Sequence, residues 1–325
     1  MPKDKVIHKT SVGGQALIEG IMMQGPKGAA MSVRMPDGSI STEEKQVKHI
    51  RDKIKFLGWP IIRGVVNFVE SMIFGYSCLM ESAEKSGFED LAESEENMSK
   101  LDKWLNDHMN KTFMNILTGI ASVLGILLAF ALFFYLPTII TNWFNKLSGG
   151  ALDNFRALIE GVMRMIIFVV YIALVSLMKD IRRTFMYHGA EHKTIFCYEN
   201  GLELTVENVR KQSRFHPRCG TSFMFVMIIL SVIISSAVSV AFPQLRDITV
   251  VWMAVKLLIL PLVMGLGYEF IKYAGRHDNL LVRFLSAPGL WMQRLTTKEP
   301  DDSMIEVALE AFKAVITDNP EDDAV

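Results

Sequence analysis

Charge of either sign is missing from two long stretches of this 325-residue chain, between Lys111 and Lys146 and between Arg218 and Arg246. Each gap exceeds the roughly 20 residues that a helix needs to cross a bilayer, so both predict membrane spans. An excess of one charge is missing as well. The 34 Lys and Arg against 35 Asp and Glu leave a net charge of -1, which argues against nucleic acid as a partner. Cysteine is scarce, and Cys78, Cys197 and Cys219 all fall in segments that the topology below assigns to the reducing side, which predicts no disulfide. A signal peptide is not expected either, because Gln15 and Glu19 interrupt the only apolar run in the first 30 residues.

What is present is apolar bulk: half of the residues are hydrophobic, with 20 Met and 20 Phe. Spans are expected at 113–137, 158–178, 222–242 and 248–267. Glu160 and Arg164 stand four apart in the favourable helical order, and Lys256, only ~12 Å along its helix from Ile248, is expected to snorkel to the interface. Between the second and third spans lie Lys179, Arg182, Arg183, Lys193, Arg210, Lys211, Arg214 and Arg218, against only Lys146, Arg156 and Arg246 in the other connections. The positive-inside rule then places 179–221 and both termini in the cytoplasm. The expected fold class is mainly α: a polytopic inner-membrane protein with about four transmembrane helices, a small cytosolic N-terminal β-containing subdomain and a cytosolic C-terminal helix. Membrane lipids are the expected surroundings. A transporter would need more helices, which a homo-oligomer would supply.

Within the N-terminal segment 1–112, three glycines in eight residues (Gly13, Gly14, Gly20) permit unusual backbone angles or close backbone approach, with Glu19 between them. Ala30–Arg34 and Ser39–Thr42 flank Met35-Pro36-Asp37-Gly38, the chemistry of a hairpin turn. From 59 to 80, Arg63, Asn67 and Glu70 recur along one side of an apolar helix, which suits an interfacial position better than a lone crossing. Residues 81–112 are acidic and polar, a solvated helical connector.

The chemistry gathers in 179–221. In Tyr187-His188-Gly189-Ala190-Glu191-His192-Lys193, a helix puts His188 and His192 on one face, with Glu191 beside them. His-x-x-Glu-His inverts the zinc-protease pattern, in which the carboxylate is a general base rather than a ligand. The second span's helix is expected to run on past Met178 to this cluster. Phe196-Cys197-Tyr198 reads as a strand entering a turn, and Thr205 as the cap of a short helix to Lys211. His216 and Cys219 precede the third span, and either completes a metal site begun by His188 and His192. Arg214 and Arg218 beside that helix's N-terminus offer a rival reading as an anion or lipid-headgroup site, with Thr221 or Ser222 as the cap. Glu19 and Glu269 are further candidates for the cluster. In the tail 268–325, Leu280 to Leu285 suits attachment to the inner surface. Asp301 and Asp302 start a helix with Ile305, Leu309, Phe312 and Ile316 as its apolar stripe, and 318–325 reads as disordered.

Gly13-Gly14-Gln15-Ala16 with Glu19-Gly20-Ile21-Met22-Met23, the Gly189–Lys193 cluster, His216-Pro217-Arg218-Cys219-Gly220-Thr221-Ser222-Phe223 and Thr297-Lys298-Glu299-Pro300 together resemble the bacterial YqhQ-like membrane family. The resemblance covers nearly the whole chain. It implies a bacterial cell-membrane protein of a domain-of-unknown-function family, sometimes labelled a predicted metal-dependent enzyme. The residues themselves point to a divalent metal, zinc by its imidazole and thiolate donors, and to metal-assisted hydrolysis with Glu191 as base. The alternative is a non-catalytic membrane scaffold or lipid-phosphate-binding protein, with a structural metal or none.

Overall fold

A computed structural model of the protein describes residues 8–47, 50, 54–87, 111–246, 248–277, 279–317 and 319–323. The chain divides into two compact units. One gathers Met1–Phe88, Ile172–Met227 and Met264–Val325; the other gathers Glu89–Tyr171 and Ile228–Val263. Three segments that look separate in the sequence therefore share one core. From residue 88 to 110 the expected acidic connector lies outside the described residues.

The first unit is built on an antiparallel meander: β1 (Gly13–Leu17), β2 (Gly20–Gly25), β3 (Gly28–Arg34) and β4 (Ile40–Lys45), in that order across the sheet. Strand alternation splits its side chains between two faces. Ile21, Met23 and Ala30 pack with helix residues Tyr187, Ala190, Met304, Ile305 and Phe312, whereas Leu17, Met22, Met31 and Val33 pack with Cys78, Phe74 and Leu79. The Met35–Ser39 turn forms as its sequence predicts, with the Gly38 N–H donating to the Met35 carbonyl.

Helix α1 (Ile62–Lys85) lies on the second face, and its other end crosses a partner helix closely enough that a Cβ on Gly64 would meet the Gly265 Cα at 2.9 Å. Val69, Met72, Ile73, Tyr76 and Met80 stay exposed along one side of α1.

In the second unit, α2 (Lys111–Phe130) passes through a π-helical turn, Ala131–Tyr135, into α3 (Leu136–Leu147). The sequence reading ends this span near Pro137; the helix instead continues. Pro137 has no N–H to donate to the Phe133 carbonyl four residues back, and that carbonyl instead accepts a hydrogen bond from Arg164 Nε at 2.9 Å. Arg164 and Ser231 Oγ are also paired, at 2.7 Å, so the expected Glu160–Arg164 pair does not form.

Helix α4 (Arg156–Val175) carries both residues. Glu160 pairs with Lys256 and accepts from Trp252 Nε1 at 3.3 Å, and Lys256 Nζ donates to Thr138 Oγ1 at 2.8 Å. Lys256 is 4% exposed, so the snorkelling expectation is overturned: a buried carboxylate and hydroxyl satisfy the ammonium better than a bent side chain would.

Beyond α4 the chain breaks at Met178, whose backbone is extended, and α5 (Lys179–Glu199) begins. The expected continuous helix past Met178 is therefore two helices with different demands. Whereas α4 is mainly apolar, α5 carries a buried face of Tyr187, Ala190, Thr194 and Cys197 at helical spacing. The same spacing carries Phe196-Cys197-Tyr198 into the helix rather than into the expected strand, and the turn follows at Asn200 and Gly201.

Next come α6 (Val206–Arg210), capped by Thr205 as expected, α7 (Gly220–Ala241), α8 (Thr249–Arg276), α9 (Leu280–Thr296) and α10 (Asp302–Val315). Asp301 caps α10 by accepting the Met304 N–H at 3.0 Å. Helix α10 lies on the sheet, where Phe312, Ile305 and Met304 are completely buried; each such side chain contributes about 1.5–3 kcal/mol. The chain's last stretch is not disordered throughout, since Pro320–Asp323 form a turn and buried Asp323 accepts from His8 Nε2 at 2.7 Å. Among the described residues four helices are long and apolar enough to cross a membrane: Gly119–Leu147, Arg156–Val175, Met224–Ala241 and Thr249–Arg276. Helix α1 is not among them.

Candidate metal centre

All the residues of the centre belong to the first unit. One turn of α5 separates His188 from His192, and their rings stand 4.4 Å apart, edge to face. The chain closes on them at Cys219, just ahead of α7. Donor atoms of His188, His192 and Cys219 all lie within 4.8 Å of one another, and His188 Nε2 is 3.2 Å from Cys219 Sγ.

Each imidazole is held from behind. His188 Nδ1 donates to the Thr296 carbonyl at 2.9 Å, and His192 Nδ1 to the Arg214 carbonyl at 2.7 Å. A carbonyl can only accept, so it fixes the proton on Nδ1 and leaves the Nε2 lone pair free to bind a cation.

The acceptor carbonyls are themselves positioned. The Lys298 N–H donates to the Phe185 carbonyl at 2.8 Å, tying 296–300 along α5, and a Cβ at Gly189 would run into the Lys298 carbonyl oxygen. Glycine at 189 is therefore a condition of that approach. Lys193 reaches the same strap through an ion pair with Glu299 and donates to the Arg210 carbonyl at 2.9 Å.

Glu191 faces the donors' cavity from the other flank and is 5% exposed. Its Oε2 is buried without a hydrogen-bond partner. Burial pushes the carboxyl up to about 7; positive charge at His188 and the Gly14 N–H pull it down, while the Cys219 thiolate adds to the rise. Gly14 explains part of the glycine-rich strand, because a Cβ there would meet Met22 O at 2.6 Å and Glu191 Cδ at 3.1 Å. Burial, then charge at His188, lowers His192 below the usual imidazole range, which favours the neutral, metal-binding form.

The other candidates take different places. His216 stands outside the three-donor group, its Nε2 3.4 Å from Glu199 Oε2 and its ring 5.6 Å from that of His192. Burial lowers its affinity for a proton and Glu199 only partly offsets this. Arg218 pairs with the same Glu199, and Arg214 donates to the Thr297 carbonyl at 2.6 Å. Both arginines thus bind protein groups. Expected caps at Thr221 and Ser222 fall on side chains outside the described ones. Glu19, in the β1–β2 turn with φ 51°, pairs with Arg183 and accepts from Tyr187 Oη at 3.1 Å. Glu269 pairs with Arg63, its Oε1 2.7 Å from Nε. Neither acid joins the metal donors.

Two residues that matter escaped the sequence reading. Gln293, fully buried, accepts the His216 N–H at 2.8 Å and donates to the His216 carbonyl at 2.7 Å, clamping the loop that carries Cys219. Glu199 holds Arg218, His216 and the Thr10 N–H together. Burial pushes its carboxyl up, but His216 and Arg218 more than offset this and hold it below its ordinary value. A lone Gln in an apolar helix and a Glu before a turn carry no sequence signal of such roles.

Residues 59–318 match the family model described as "Protein of unknown function (DUF1385)". The chain belongs to this family. It is also 32% identical over 323 residues to the uncharacterized protein YqhQ of Bacillus subtilis (strain 168), covering 97% of this chain and 95% of that relative. No solved structure matches. The metal donors and Glu191 lie inside the stretch that the family shares, whereas Gly14 lies before it.

Proposed function

We propose that this member of the family is an integral membrane hydrolase of metal-dependent type. In this reading its four apolar helices cross the cell membrane, and the first unit, with both termini, sits at the cytosolic face. The basic residues of 179–221 support that orientation. The exposed apolar side of α1 suits a helix resting on lipid.

The observation that carries the reading is the pairing of two imidazoles, each donating its Nδ1–H to a backbone carbonyl and presenting Nε2 toward one cysteine, with a buried carboxylate oxygen left without a partner beside them. Two imidazoles and a thiolate suit zinc. His188, His192 and Cys219 would hold it, and what it supplies when bound is polarisation of a carbonyl or phosphoryl group and activation of water. Glu191 then takes a proton from the attacking water at Oε2 and returns it to the leaving group. Water is added across an ester, amide or phosphoester bond, one product gaining the hydroxyl and the other the proton. Gln293 and the 296–300 strap keep Cys219 and His188 in position.

A purely structural metal is the rival. Structural zinc sites are closed by four protein ligands, whereas these three donors face a cavity of about 960 Å³, which favours the open, reactive reading.

Elemental analysis of the detergent-purified chain tests the proposal. Near-stoichiometric zinc, lost in His188→Ala and His192→Ala, is expected. Glu191→Gln should keep the metal and lose at least a hundredfold of the hydrolysis found on a panel of ester and phosphoester substrates. Undiminished activity in that variant removes the general-base role, and a wild type without metal removes the enzyme reading.

A further inference from the structure

The cavity in front of the metal donors is asymmetric in chemistry. At its inner end stand His192 and Glu191, both nearly fully buried. One face of α8 walls another side, with Ile271, Lys272, Gly275 and Arg276 recurring at helical spacing. Ile271, Lys272 and Arg276 are exposed, so they form the mouth. Glu269, the nearest acid in the same helix, is engaged by Arg63. The remainder is mixed: polar Gln15, Gln24 and Thr184 line part of it, and apolar Met22 and Phe74 inside, with Met224, 44% exposed, at the mouth, line another.

We infer that this cavity binds an amphiphile with an acidic, phosphate-type headgroup, the headgroup meeting Lys272 and Arg276 and the apolar part lying against Met22, Phe74, Met224 and Ile271. As a statement about substrate this rests on the hydrolase reading; as a statement about binding it stands on the cavity alone. Two cations one helical turn apart present several donors to one phosphate, whose oxygens accept at short range. A soluble phosphorylated metabolite would share the headgroup chemistry but would leave the apolar walls wet. Exposed Leu280, Leu281 and Phe284 on the helix that follows α8 also mark this end of the unit as one that meets an apolar phase, from which an amphiphile would enter.

The test uses the full chain in detergent and three probes: dihexanoyl phosphatidic acid, dihexanoyl phosphatidylcholine and inorganic phosphate, with binding followed by calorimetry. Phosphatidic acid should bind at least tenfold more tightly than either of the others, and shortening both its chains to butyryl should weaken it several-fold. Lys272→Gln with Arg276→Gln should reduce phosphatidic acid binding at least tenfold while zinc content stays at the wild-type level, which also shows that the variant is folded. Inorganic phosphate binding as tightly as phosphatidic acid, no dependence on chain length, or an unchanged affinity in the double variant each overturns the inference. Repeating the titration after chelation separates the two proposals. Phosphatidic acid binding in a protein that never carries zinc sustains the amphiphile site and removes the hydrolase, and zinc without phosphatidic acid binding does the reverse.

Discussion

Both units bury a carboxylate on a helix, and they treat it in opposite ways. In the second unit Glu160 is enclosed, with Lys256 against it, Trp252 donating to it and Thr138 completing the ammonium's contacts. In the site unit Glu191 is equally removed from solvent; one oxygen of each acid, Glu160 Oε1 and Glu191 Oε2, has no hydrogen-bond partner, but the groups beside Glu191 are candidate metal donors rather than a countercharge. A carboxylate closed by a countercharge stabilises an arrangement of helices; one left open among candidate metal donors keeps a place for a ligand. That difference is what separates a structural acid from a candidate catalytic one when the sequence shows only two glutamates on helices.

The largest expected effect breaks the closed side of the comparison. Lys256→Met strands Glu160 in an apolar setting and should destabilise the protein by about 3–5 kcal/mol, read as a large fall in melting temperature in detergent. Adding Glu160→Leu to the same chain should recover most of the loss, because removing both charges is far less costly than removing one. Equal melting temperatures for wild type and Lys256→Met would show that the pair does not hold the apolar helices together. On the open side, Glu191→Leu should leave stability nearly unchanged, since it loses the hydrogen bond from the Gly14 N–H but also removes a buried carboxyl that has no countercharge.

Next in size is the strap. Gly189→Ala places a methyl where the Lys298 carbonyl lies, and overpacking of this kind costs about 1–3 kcal/mol. Because Thr296 in the same strap accepts from His188 Nδ1, zinc affinity should fall together with stability. Gln293→Leu leaves the buried His216 N–H and carbonyl unsatisfied, at roughly 1–3 kcal/mol, and should loosen Cys219 without touching the donors. Normal zinc affinity in both variants would show that the donors are held by α5 alone.

These same residues mark where the sequence could and could not be read. His188, Glu191 and His192 were legible because a single helix fixes their relation, and Asp301, Thr205 and the Met35–Ser39 turn because their bonds are local. The four apolar helices were legible because length and apolarity belong to each one separately. What stayed hidden depends on distant chain. Gln293 reaches His216 across 77 residues, and the acceptors for His188 and His192 are backbone carbonyls, which any residue carries. Lys256 looked like a snorkelling residue because nothing local names Glu160, 96 positions earlier, as its partner. The first unit's shared core was hidden for a related reason: its three segments are separated in the sequence by the residues of the second unit.

The smallest expected effect uses a third carboxylate, open to solvent and paired. Glu43 lies between Lys85 Nζ at 2.5 Å and Lys45 Nζ at 2.9 Å, and is 44% exposed. The hydrogen bonds from Lys85 and Lys45 hold its carboxyl down from 4.5 to about 2, against a small opposing effect of burial. A lowered folded-state value means that the contribution is fully present above pH 4.5 and fades as pH falls toward 2. Solvent screening keeps it small, so Glu43→Gln should cost less than about 1 kcal/mol at pH 7. Melting curves of wild type and variant should differ slightly at pH 7, converge as the pH approaches 2, and converge also at pH 7 in molar salt, where exposed pairs are screened. A difference that survives both acid and salt would assign Glu43 a role in packing rather than in charge, and would place it with the closed Glu160 rather than between the two.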